Sequence, residues 1–122
     1  MADDMNYSIN IIEDNVALQE IFRRYFSNNK NIKLFFLDFD DLIFNKGKGI
    51  IRKKEKIIVD ISRSSNYIQE ITSLENIFFN NSNLFVLLVN ERQLTELKSN
   101  VFLAGRILLP KDLNEIRKVL EM

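Results

Sequence analysis

Apolar residues along this chain fall into short unbroken runs, separated by stretches where they recur every three or four positions. The runs are Tyr7–Ile12 (YSINII), Ile32–Leu37 (IKLFFL), and residues 57–61 (IIVDI), 84–89 (LFVLLV) and 106–109 (RILL). Each has the length of a strand, and the third is rich in β-branched residues. In Val16–Phe26, Leu18, Ile21, Phe22 and Tyr25 stand at i, i+3, i+4 and i+7, the spacing of one helix face, with Asp14 or Asn15 placed to cap it. Residues 66–79 repeat the pattern with Ile68, Ile71, Leu74 and Phe78, residues 91–100 with Leu94 and Leu97 running on to Val101, and residues 111–121 with Leu113, Ile116 and Leu120. Residues 38–45 suit a short helix that Lys46-Gly47-Lys48-Gly49 ends, and residues 50–56 (IIRKKEK) fit neither period.

Strands that are apolar throughout, rather than alternating, are buried on both faces, as in a parallel sheet covered by helices. Right-handed crossovers leave few topologies. The expected fold is α/β: a (βα)5 doubly wound, parallel five-stranded sheet in the order 2-1-3-4-5. It forms one domain over residues 7–121, with residues 1–6 as a flexible N-terminus.

Composition narrows the chemistry. The 122 residues are 46% hydrophobic and include ten Phe, enough for one real core. Seventeen Lys and Arg balance seventeen Asp and Glu, which argues against a general polyanion binder. With no Cys and no His, thiolate and imidazole chemistry is excluded, and carboxylates, lysines and hydroxyls are what remain. No apolar run is long enough to span a membrane and no signal-like segment opens the chain, so the expectation is a cytoplasmic protein without membrane partners. The basic stretch 46–56 has no aromatic interleaved for base stacking and reads as a solvated insertion. The acids of DFDD (38–41) read as a helix start rather than a calcium loop, and Phe35, Phe36, Phe78, Phe79, Phe85 and Phe102 as core.

In such sheets, ligands bind at the carboxyl ends of the strands near the switch point between strands 1 and 3. Strand 1 runs into Glu13-Asp14, and strand 3 carries Asp60. These three carboxylates should converge, and hard oxygens around a small open site suit Mg²⁺. Lys111, just after strand 5, can reach the same rim.

An acidic pair, an acceptor aspartate and a lysine in that order resemble the receiver domain of bacterial response regulators (CheY-like). The likeness covers about residues 7–121 and is sharpest in IIEDNVALQEIF (11–22) and IIVDIS (57–62); the step from Asp60 to Lys111 is also about the family's spacing. The resemblance implies that Asp60 is the phosphoacceptor, attacking the phosphohistidine of a sensor histidine kinase, and that the chain is otherwise not an enzyme. It implies that Glu13, Asp14, Asp60 and the backbone carbonyl of Ser62 hold Mg²⁺, and that Lys111 pairs with a phosphoryl oxygen. It further implies a homodimer through the helix at 91–100, the strand at 106–109 and the closing helix. DNA would be reached only through an output domain outside these residues, as in the transcription-factor (LuxR/NarL-type) branch of the family.

The switch positions depart from the family. Val89 stands where a Thr or Ser hydroxyl is usual, Asn90 where the residue is small, and Leu108 where an aromatic switches. SRSSNY lacks the Pro and Gly that follow the acceptor, and Pro110 precedes Lys111 instead of following it. The expected function is therefore an atypical receiver domain of a two-component system. The alternative is a phosphorylation-independent protein–protein adaptor on the same fold. A flavodoxin-like enzyme is disfavoured by the lack of a glycine-rich loop after strand 1.

Overall fold

A computed structural model describes residues 7–27, 30–103, 106–110 and 112–120. Five strands form one sheet: β1 (Tyr7–Ile12), β2 (Ile32–Leu37), β3 (Lys56–Asp60), β4 (Phe85–Leu88) and β5 (Ile107–Leu108). Their order is β2-β1-β3-β4-β5 and every neighbouring pair is parallel. The helices are α1 (Val16–Phe26), α2 (Phe39–Phe44), α3 (Lys48–Lys53), α4 (Tyr67–Phe78), α5 (Glu91–Leu97) and α6 (Leu113–Leu120), and a 3₁₀ turn at Ser82–Leu84 leads into β4. The expected doubly wound sheet is present, with one helix more than the five expected. The extra helix is α3, in the stretch that fits neither period.

Alternation along the strands divides the interior into two layers. Ile57, Val59, Phe85, Leu87 and Val89 face one side and pack with Leu42, Ile50, Ile71, Leu74, Phe78 and Leu97 from α2 to α5. Ile9, Ile11, Ile58, Val86 and Leu88 face the other, against Phe22 and Phe26 of α1 and Ile116 of α6. Because β3 and β4 feed both layers, they read as continuous apolar runs. The buried polar residue of β1, Asn10, is satisfied: its Nδ2 donates to Lys56 O at 3.1 Å and to Glu55 Oε1 at 3.3 Å.

Several helix faces differ from the periodic reading. In α1 the buried residues are Phe22 and Phe26, while Ile21 is 45% exposed, so the inward stripe is turned by about one position. Ile68 is exposed in the first turn of α4, beyond the layer that Ile71, Leu74 and Phe78 fill. Val101 lies past the end of α5 and is exposed. Phe35, on edge strand β2, and Phe79, the C-cap of α4, are exposed rather than core. The side chain of Leu120 lies outside the described residues.

Capping explains where the helices begin. Asn15 Oδ1 accepts from Leu18 N at the start of α1, and Asp38 Oδ1 accepts from Asp40 N at the start of α2, so DFDD does open a helix. The turn into α3 uses left-handed backbone at Lys46 and Gly47. A Cβ at Gly47 would meet Ile77 Cγ2 at 3.0 Å and Phe78 Cζ at 3.3 Å, so the absent side chain lets this corner pack on the end of α4.

Among the described residues no helix is long and apolar enough to cross a membrane.

Candidate functional site

The carboxyl ends of β1 and β3 lie side by side, in register from Ile9↔Lys56 to Ile12↔Val59. This places Glu13, the first residue after β1, next to Asp60, the last of β3. The loops beyond them line a cavity of about 670 Å³. Its walls include Glu13, Asp14, Asp38, Asp60, Arg63 and Glu70, with Phe36 and Phe39 on one flank.

The Glu13 side chain is fully buried. Its Oε2 accepts from the backbone N–H of Asn15 at 3.1 Å and from Arg63 Nη2 at 2.8 Å. Asp60 Oδ1 accepts from the N–H of Ser62 at 2.9 Å and from its hydroxyl at 2.6 Å. The remaining oxygens, Glu13 Oε1 and Asp60 Oδ2, are buried without another partner. Burial, and then the hydrogen bond to Asp60, push the Glu13 pKa from its usual 4.5 up to about 8; the Asn15 N–H and the Arg63 charge pull it the other way. Glu13 is thus a carboxylic acid at neutral pH. Its proton resolves what would otherwise be two adjacent buried anions.

Asp14 points outward, and its side chain is 95% exposed. It joins the cluster through Arg63, whose Nη2 also donates to Asp14 Oδ1, at 2.7 Å. So the structure brings Glu13 and Asp60 into contact, and links Asp14 to them only through a guanidinium. Lys111 lies outside the described residues.

The switch positions are also engaged. Val89 is wholly buried, and its N–H donates to Leu108 O at 2.9 Å. Leu108 is half-buried in β5, paired with Leu88. Asn90 caps α5: its Oδ1 accepts from Gln93 N at 2.8 Å, while Gln93 Oε1 accepts from Asn90 N at 2.9 Å, a reciprocal capping box. Each amide has a second task. Asn90 Nδ2 donates to Ser62 O at 2.8 Å, and Gln93 Nε2 donates to Ile61 O at 2.9 Å. The loop after Asp60 is thereby fastened to the start of α5.

A divalent ion does not fit this donor set as it stands. The carboxylates of Glu13 and Asp14 are held by Arg63, Asp60 Oδ1 by Ser62, and the Ser62 carbonyl by Asn90. Among the described residues no group of three or more acidic side chains is arranged to hold a metal ion.

Reasoning from sequence found Glu13, Asp14 and Asp60 but missed Arg63, Gln93 and Glu70. The spacing Asn90-x-x-Gln93 carries a legible capping-box signal. Arg63 carried no such signal, because its partners lie some fifty positions away in the chain. No family model, no curated protein and no solved structure matches this chain.

Proposed function

We propose that this chain is an atypical, receiver-like signalling domain that works through protein–protein contacts set without phosphoryl transfer. The observation that carries the reading is the pair of amide bridges from Asn90 and Gln93 to the carbonyls of Ser62 and Ile61. In a switching receiver, a hydroxyl at the end of the fourth strand moves to meet a phosphoryl oxygen. Here that position is the buried, donor-free Val89, and its neighbours already hold the acidic loop through permanent hydrogen bonds. One charge-assisted hydrogen bond contributes about 1.5–3 kcal/mol, whereas moving a switch from 1:99 to 99:1 takes about 5.5 kcal/mol. Without the hydroxyl, a phosphoryl group on Asp60 has little leverage on α5.

The partner surface in this proposal is the face of α5, β5 and α6, used for homodimerisation or for an output module. Val101 is the strongly exposed apolar residue at the end of that face.

The test combines two measurements. The chain is incubated with acetyl phosphate and Mg²⁺ and its intact mass recorded, while sedimentation velocity follows its oligomeric state. The reading expects no phosphoryl adduct, and the same sedimentation for the wild type and Asp60→Asn. A stoichiometric adduct that Asp60→Asn abolishes, together with a change of oligomeric state, overturns it in favour of a working phosphoacceptor.

A further inference from the structure

The guanidinium of Arg63 sits where the acidic rim most needs a cation. One nitrogen, Nη2, lies 2.8 Å from Glu13 Oε2 and 2.7 Å from Asp14 Oδ1, so a single donor bridges two carboxylates from adjacent residues. A metal ion bridging the same pair would sit closer, at about 2.0–2.1 Å for Mg²⁺, but in the same topological place. The Glu13 side chain is fully buried, and its second oxygen faces the cavity region without a partner besides Asp60. Glu70 Oε1 on the wall of the same cavity is a further buried oxygen with no partner. Arg63 is the cation that line this cavity shows among its described residues, set against five acids.

We infer that Arg63 is a built-in counter-ion that replaces a divalent metal at this rim, and that removing it exposes a latent divalent-cation site formed by Glu13, Asp14 and Asp60. Guanidinium keeps its proton at any ordinary pH and is covalently part of the β3–α4 loop. Unlike a bound ion, it cannot be diluted away or chelated. It therefore makes the acidic rim independent of metal supply. A second cation entering beside it meets a like charge at close range, which costs more than about tenfold in affinity even at the dielectric of a protein surface. The side chain is half exposed, so truncating it opens the rim to solvent while leaving the buried layers in place. The inference is independent of whether Asp60 accepts a phosphoryl group, because ion binding and adduct formation are read by different measurements.

The experiment compares the wild type with Arg63→Ala and Arg63→Gln, using Mn²⁺ as the probe and thermal melting with and without Mg²⁺. Mn²⁺ binding is followed by the loss of its free electron-spin signal. The wild type should show no saturable Mn²⁺ site at millimolar concentrations, and its melting temperature should not respond to Mg²⁺. The variants should bind Mn²⁺ at least about tenfold more tightly, and Mg²⁺ at ten times its dissociation constant should raise their melting temperature by about 5 °C. A merely structural arginine would lower the melting temperature of the variants without Mg²⁺ restoring it; that result overturns the inference. So does a wild type that binds Mn²⁺ as tightly as the variants. The wild-type measurement decides alone if neither variant folds: saturable Mn²⁺ binding that broadens the amide resonances of residues 13, 14 and 60 refutes it, and silence at those resonances supports it.

Discussion

Raising the pH should weaken this fold well before its lysines titrate, because Glu13 keeps a proton that the unfolded chain releases. In the unfolded chain Glu13 ionises near 4.5; in the folded chain burial and the Asp60 hydrogen bond hold it protonated up to about 8. Between those values the native state binds about one proton more than the unfolded state, so stability falls as pH rises. The contribution is fully present below 4.5 and is lost as pH rises through about 8. The slope approaches about 1.4 kcal/mol per pH unit, and the loss across the interval is on the order of 4 kcal/mol. The perturbation that isolates it is Glu13→Gln. The amide keeps the shape, its oxygen can accept from Asn15 N and Arg63, and its NH₂ can donate to Asp60, but it binds no exchangeable proton. Urea unfolding at several pH values from 5 to 8.5 should show the wild type losing stability with pH and Glu13→Gln staying nearly flat from pH 6 upward. The variant should therefore be the more stable protein at pH 8. A wild-type stability that is flat from pH 5.5 to 8, or an equal slope in Glu13→Gln, would refute the shared-proton account.

Three further outcomes follow from the same contacts. Gln93→Leu removes both amide bonds of a residue that is only 3% exposed, leaving Ile61 O and Asn90 N unpaired; it should cost about 2–4 kcal/mol in chemical unfolding, whereas Arg92→Ala on the exposed side of the same helix should stay within about 0.5 kcal/mol. Gly47→Ala places a Cβ on left-handed backbone against Ile77 and Phe78 and should lower stability by about 1–2 kcal/mol, read as a lower melting temperature. Ile58→Ala, at a wholly buried position in the centre of β3, should cost about 2–5 kcal/mol, and a loss under about 1 kcal/mol would contradict the packing described for that layer.

Much of the architecture was legible because burial on both faces leaves a plain signature. LFVLLV and IIVDI have no polar alternation, and only a covered parallel sheet accommodates several such strands in one small domain. Strand ends were legible to within about a residue, since an acid, an Asn or a turn follows each. Helix faces were less so. The stripe through Leu18 and Ile21 fits helical spacing as well as the one through Phe22 and Phe26, and only the position of β2 and α6 decides which is inward. Helix α3 was hidden because its six residues hold two apolar positions among lysines and glycine, too few to define a period. At the site, Glu13 and Asp60 could be paired from topology alone, because strands 1 and 3 must adjoin. Arg63 could not. Its reach across the rim depends on the path of the β3–α4 loop, which Ser62, Asn90 and Gln93 set through hydrogen bonds that no local pattern announces.

The all-parallel sheet has a consequence for how the chain finds its shape. No two neighbouring strands are joined by a hairpin, so no ladder can zip up from a tight turn. Even the central pairing of β1 with β3 waits until β2 and two helices lie between them. Closing such long loops costs entropy before any strand contact offsets it. The first cooperative unit should therefore be a helix collapsing onto its own strand, with the rim that joins Glu13 to Asp60 among the last features to assemble.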